Sequence, residues 1–183
     1  MLYRLGLVDR NQRGFTIVEL LISFTVAALV AVGVTTGVFQ IVTGNNRTSN
    51  HMNAVRQVQE AGYWVSHDTQ MAQDVETDNV TDPEIMKLTW DEWDNSNEHQ
   101  VVYSLTNMNG GLKQLEKQHL IYDADDNLLD STTSIVAQFI DPAMTSCSFT
   151  GDKLIFTVTA TVGSGSQKGS ETRVYEISPR PTV

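Results

Sequence analysis

The chain has 183 residues, of which 40% are hydrophobic and 19% are charged, and its formal net charge is −10. The apolar fraction excludes a disordered chain, and the acidic balance predicts no direct, sequence-independent binding of nucleic acid phosphates. A single cysteine, Cys147, excludes an intramolecular disulfide framework and every zinc site built from several cysteines. Residues 15–44 contain no Lys or Arg and one acid, whereas residues 60–98 contain eleven acids and one base.

The amino-terminal part of the chain combines a basic flank with a long apolar run. Three arginines and one aspartate precede residues 15–39, in which Glu19 is the single charged side chain. At about 1.5 Å per residue, a helix of this length crosses the roughly 30 Å hydrocarbon core of a membrane. The basic flank predicts that the first residues stay in the cytoplasm and that the carboxyl-terminal part lies outside. An ordinary secretory signal fits less well, because the run is longer than a signal core and no small-x-small site closes it.

Two features of the apolar run suggest contacts with other chains. A carboxylate such as Glu19 is costly within a membrane helix unless it is neutralised or paired, and no base lies within two helical turns downstream. Either Glu19 is protonated near the interface or its partner comes from another chain. Gly33 and Gly37 form a small-x-x-x-small pair, which either lets a second helix approach or reflects the ordinary tolerance of membrane helices for glycine.

Residues 13–22 (RGFTIVELLI) resemble the amino terminus of type IV prepilins, with a basic leader, then Gly, then Phe, and Glu at the fifth mature position. The resemblance covers about residues 1–40. It implies cleavage between Gly14 and Phe15 by a prepilin peptidase, followed by N-methylation of Phe15. It also implies assembly into a filament in which Glu19 meets the Phe15 amine of a neighbouring subunit. A salt bridge of this kind specifies register more than it adds stability.

The resemblance further implies a sequence of locations and partners. The precursor is a single-pass protein of the cytoplasmic membrane, in contact with lipid and with its carboxyl-terminal domain outside. A prepilin peptidase and N-methyltransferase processes it, and inner-membrane assembly machinery then moves it into a cell-surface filament with other pilin or pseudopilin subunits. We therefore predict a minor structural subunit of a type IV pilus or pseudopilus, and no enzyme. The alternative is a single-pass membrane-anchored extracellular binding or sensor module that does not polymerise.

Beyond the apolar run the chain becomes polar but keeps an apolar stripe. The stripe recurs at steps of three and seven and consists of Met52, Val55, Val58, Val65, Ala72 and Val75. It predicts that one helix covers residues 15–78, with 15–39 as the membrane and filament core and 45–78 as an amphipathic continuation. Asp78-Asn79 and Asp82-Pro83 are expected to end it. The predicted organisation is a cleaved leader at 1–14, this helix, and a globular domain at 79–183.

The globular domain is expected to be built from strands. We predict strands at 86–90, 99–105, 113–122, 134–140, 145–149, 153–162 and 171–178, with the second and third joined as a hairpin. Because helix and strands do not alternate, the fold class is α+β, a long amino-terminal helix packed on a carboxyl-terminal antiparallel sheet. This arrangement is similar to that of pilins and pseudopilins. Residues 102–105, 110–113 and 174–181 also resemble segments of W-type minor pilins or J-type minor pseudopilins.

One acidic run has the composition of a calcium site. Oxygen ligands alternate along it, and the candidates are Asp123, Asp125, Asn127 and Asp130. Leu128 and Ser134 stand where an EF-hand loop has its Gly and Glu, so a polar hairpin turn is the simpler interpretation. We expect no other cofactor.

The remaining candidates for chemistry have simpler interpretations. Cys147 is expected to be a buried strand residue, because no motif places a base beside it. The four histidines, at 51, 67, 99 and 119, show no metal-binding spacing. The acidic residues between 60 and 98 are expected on a solvated surface, where an exposed Trp90 or Trp93 would indicate an interface.

Overall fold

A computed structural model describes residues 14–78, 80–92, 97–108 and 110–180 of the chain. Within these residues the elements are α1 (Ile17–Met71), β1 (Asp74–Glu76), β2 (Glu84–Asp91), β3 (Asn97–Asn107), β4 (Lys113–Asp123), β5 (Leu128–Ile140), β6 (Ser146–Thr150), β7 (Lys153–Val162) and β8 (Gly169–Ile177). The predicted α+β class is confirmed. Contacts divide the chain into two units, one ending at Thr43 and the other beginning at Gly44.

From Ile17 onward, the described part of the first unit is a helix with an apolar surface on every side. Its large side chains, from Phe15 to Val42, are all exposed. An 18-residue window of α1 has a mean hydropathy of 2.5, and none of that window is buried. By length and composition the helix can therefore cross a membrane. A helix that is apolar all round requires lipid or other helices as its surroundings.

The second unit is an antiparallel sheet packed on the later part of α1. The strand order is β1-β2-β3-β4-β5-β7-β6, and β8 pairs with β7 outside this path. β5 meets β7 through the single pair Ile140–Ala160, whereas β8 accompanies β7 from Leu154 to Val162. The first half of β5 is exposed, so that the β4–β5 hairpin extends beyond the core.

The core lies between the sheet and small residues of α1. Ala54, Val58, Ala61 and Val65 of the helix are completely buried, and they pack with strand residues such as Phe156. Small side chains allow the helix axis to approach the sheet closely. The approach is close at Gly62, where an added Cβ would clash with the ring of Tyr175.

The predicted carboxyl-terminal end of the helix is wrong. α1 ends at Met71, and residues 74–76, which we placed in the helix, form β1 against β2. The main-chain N–H of Gln73 already donates to the Thr89 carbonyl at 2.9 Å. The sheet thus satisfies the main-chain groups that a longer helix would have paired, and Val75 is buried from a strand.

The other predictions of secondary structure compare well with the structure. All seven predicted strands are present, although β5 begins at Leu128, six residues before the predicted position. Val58 and Val65 are buried as the stripe predicted, whereas Met52 is 66% exposed and Ala54 and Ala61 take buried positions instead. Of the predicted leader, the structure describes Gly14 alone.

Candidate functional site

The amino-terminal end of α1 begins with a capped first turn. Thr16 directly precedes the helix, and its Oγ1 accepts a hydrogen bond from the Glu19 N–H at 3.2 Å. Thr at the cap with Glu three residues later is the capping-box pattern, a signal that our reading of the sequence missed. Glu19 therefore lies in the first turn, where the partial positive charge of the helix terminus stabilises a carboxylate.

The bond between Gly14 and Phe15 lies just outside this capped turn. Residues 14–16 are not helical, Gly14 is exposed, and the Phe15 side chain is 78% exposed. A peptidase requires a main chain that is accessible and not helical. Gly14 and Phe15 meet both conditions.

Gly33 and Gly37 lie in the middle of the exposed apolar helix. A Cβ added at either position would meet no atom within 4 Å. Within the described chain, no other element occupies the space beside them. The two glycines leave a shallow notch on the helix surface, and a notch of this kind lets the backbone of a second helix approach closely.

A polar cluster in the second unit connects α1 to two strands. The side chain of Asp68 is 3% exposed, and its Oδ2 accepts a hydrogen bond from the Tyr103 hydroxyl at 2.6 Å. The same oxygen lies 2.6 Å from the Lys117 Nζ. Burial, followed by the nearby Asp68 carboxylate, raises the pKa of Tyr103 far above its ordinary value. We expected the acids of this region on the surface, and for Asp68 that expectation is wrong, because its carboxylate is paired inside.

A stack of three rings lies near this cluster. Trp90 and His99 are parallel, with centroids 5.3 Å apart, and His119 stacks on both. His99 Nδ1 lies 2.9 Å from His119 Nε2, and its Nε2 lies 3.0 Å from a Glu92 carboxylate oxygen. Burial, then the neighbouring His99 and Lys117, lower the pKa of His119. Trp90 is buried, so it does not provide the exposed aromatic of an interface, and Trp93 lies outside the described residues.

The calcium candidates lie in and next to the turn between β4 and β5. The Asp123 carboxylate accepts hydrogen bonds from the main-chain N–H groups of Asp125 and Asn127, at 2.9 and 2.8 Å. These hydrogen bonds, those of Asn127 first, hold the pKa of Asp123 below its ordinary value. The geometry is that of a hairpin turn closed by its own carboxylate. Among the residues that the structure describes, no group of three or more His, Cys, Asp or Glu side chains could hold a metal ion.

Cys147, which we expected to be buried, is half-buried on β6 and packs against the edge of the core. Its Sγ lies 3.9 Å from the Met86 Sδ, and burial raises the pKa of the thiol to about 12. A thiol of this kind is a poor nucleophile at neutral pH.

Comparison with known protein families identifies the amino-terminal segment of the chain. Residues 9–35 match the family model described as the prokaryotic N-terminal methylation motif. The chain carries a type IV prepilin-like amino terminus. The match includes Gly14, Phe15, Glu19 and Gly33. Comparisons with curated proteins and with solved structures found no match.

Proposed function

We propose that this chain is a minor structural subunit of a type IV pilus or a pseudopilus-like filament. The observation that carries the proposal is the methylation motif at residues 9–35, placed on a helix whose apolar surface is exposed on every side. Such a helix needs lipid before assembly and other helices after it. The role is structural, because the motif concerns processing and helix assembly, and the Asp68 cluster uses its polar groups to fasten α1 to the sheet.

Processing would take place between Gly14 and Phe15. Cleavage removes three arginines and one aspartate, and leaves 169 residues with 9 bases and 21 acids. It also creates an amine on Phe15, which a methyltransferase then modifies. This positive charge lies next to the partial positive charge of the helix amino terminus, where it is unfavourable without a nearby carboxylate.

Glu19 is our proposed source of that carboxylate, supplied by one subunit to the Phe15 amine of the next. It lies in the first turn of α1 and is exposed, so its side chain is accessible to a second helix. Gly33 and Gly37 would let neighbouring helices pack closely in the filament. The inner-membrane assembly machinery would transfer the helix from lipid into this bundle, with the second unit outside the membrane.

The experiment that tests the proposal compares two variants in cells that assemble the filament. Gly14→Ala is expected to remain an uncleaved membrane protein, and Glu19→Ala to be cleaved, stable and absent from sheared filaments. Glu60→Ala is the matched control, since it removes a solvent-accessible acid of the same helix that pairs with Arg56. Normal incorporation of both test variants would contradict the proposal and favour a membrane-anchored module that does not polymerise.

A further inference from the structure

A basic groove lies where the second unit begins. Its volume is about 410 Å³, and Arg47, His51 and Lys168 line it together with Thr48, Gly169 and Ser170. The helix and the loop before β8 are fastened to each other here. Asn50 Nδ2 donates to the Gln167 carbonyl at 2.8 Å, and Gly169 lies so close to His51 that a Cβ would clash with its main chain.

The groove is positively charged in a unit that is otherwise strongly acidic. Both segments that form it, residues 20–59 and residues 153–170, contain no Asp or Glu. In the part of the chain that the structure describes, Arg47 and Lys168 form no ion pair, whereas Arg56, Lys117 and Lys153 each pair with a carboxylate. Two exposed cations therefore remain available to an external anion.

The position of the groove along the chain indicates which anion the two cations would bind. Arg47 is the first charged residue after Glu19, and it lies five positions after Val42, the last large apolar residue before it. Five residues span at most about 18 Å even when fully extended. The headgroup region of a bilayer adds several ångströms on each side of the hydrocarbon core. With Val42 at the edge of the hydrocarbon core, Arg47 of the inserted protein lies within or next to that region.

We propose that the groove of Arg47, His51 and Lys168 binds the phosphate of anionic phospholipids at the outer face of the membrane while the chain waits for assembly. The inference rests on the membrane insertion proposed above. The two cations attract the phosphodiester, and the imidazole and hydroxyl groups can donate hydrogen bonds to its oxygens. This contact would hold the acidic second unit against a surface that otherwise repels it, and it must break when the subunit leaves the lipid.

The test uses the full chain, reconstituted at low density in vesicles of phosphatidylcholine with or without phosphatidylglycerol. Resistance to alkaline extraction first establishes insertion, so that a failure to insert is distinguished from a failure of the groove to bind. An uncharged, membrane-impermeant acylating reagent then measures the reactivity of Lys168, with Lys153 as internal reference. We expect Lys168 to react about fivefold more slowly when phosphatidylglycerol is present, and salt to abolish the difference.

Arg47→Gln should remove most of this protection, whereas Arg56→Gln on the same helix should leave it unchanged. Tryptophan fluorescence checks that both variants keep the fold. Equal reactivity of Lys168 in the two kinds of vesicle would overturn the proposal. Equal protection by inorganic phosphate in neutral vesicles would also overturn it, in favour of a small-anion site. Protection that depends on protein density and not on lipid charge would show instead that an acidic surface of a second copy fills the groove.

Discussion

Asp68 illustrates how one residue connects several elements. It lies on α1, and its carboxylate contacts Tyr103 on β3, Lys117 on β4 and the neighbouring His67. A buried charge is tolerated when it is paired and hydrogen-bonded, and removal of one partner leaves the other uncompensated. The position is detectable in the sequence, because it continues the helical spacing of Ala61 and Val65. We did not predict that Asp68 is buried, because an acidic side chain at this spacing is normally assigned to the solvent-exposed face of a helix.

The substitution Asp68→Asn is expected to lower the free energy of unfolding by roughly 3–5 kcal/mol, because it leaves the Lys117 ammonium buried without its counter-ion. Urea unfolding of the full chain in detergent measures this, followed by tryptophan fluorescence, since all three tryptophans lie in the second unit. Asp125→Asn, at an exposed position, should change stability by less than about 0.5 kcal/mol. Equal stability of the two variants would show that the ion pair contributes nothing.

His119 is expected to make the second unit less stable in mild acid. Burial, His99 and Lys117 disfavour its protonated form, whereas Asp68 and Asp130 favour it less strongly. The folded protein thus binds this proton less readily than the unfolded chain does. Neutral His119 therefore contributes to the stability of the fold. This contribution is complete above 6.5, the pKa of histidine in the unfolded chain, and it is lost as the pH falls through the lowered pKa of His119 in the folded protein.

The corresponding measurement is the free energy of unfolding at pH 7.5 and at pH 5.5. His119→Gln should reduce the loss of stability between these two values, whereas His51→Gln, an exposed control, should not. An unchanged pH dependence in His119→Gln would mean that the ring stack does not respond to protonation.

The contact between α1 and β8 depends on the absence of a side chain at Gly62. Gly62 faces the ring of Tyr175, whose hydroxyl donates to the Val58 carbonyl at 3.0 Å. This hydrogen bond fixes the ring over the glycine. Because Gly62 has no Cβ, the Tyr175 ring can pack directly against the main chain of α1.

Gly62→Ala is expected to destabilise the second unit by about 1–3 kcal/mol, since the added methyl group forces the ring or the helix to move. Gly44→Ala is the matched control, because a Cβ there meets nothing within 4 Å and alanine favours the helix. Thermal unfolding of the two variants should give melting temperatures that move in opposite directions. A rise in both would show that the contact is not tight.

The sequence predicted the strands well because alternation and turns mark them locally, as in β7 and in the β3–β4 hairpin. It did not predict β1, a three-residue strand with two acids, which exists because β2 offers it main-chain partners. The proximity of His99 and His119 depends on register, since His119 lies opposite Val101, and a slip of one residue would send the rings to opposite faces. Tertiary pairing, and not local preference, decides such features.

Charge is distributed unevenly along the whole chain. The basic leader, the nearly uncharged apolar run and the acidic second unit occupy successive parts of the sequence. The proposed removal of residues 1–14 would make the remaining chain more acidic and would create a positive charge at the Phe15 amine. The amino-terminal methylation motif was predictable from the sequence, because its residues form a contiguous pattern that does not depend on the fold.

The mature amino terminus shows whether the chain is processed as a prepilin. Intact mass spectrometry and amino-terminal sequencing of the protein from its native membrane should find that residues 1–14 have been removed. The first residue should be Phe15 carrying one N-methyl group. A mature protein that still begins at Met1, or that begins at a residue other than Phe15, would contradict the proposed processing.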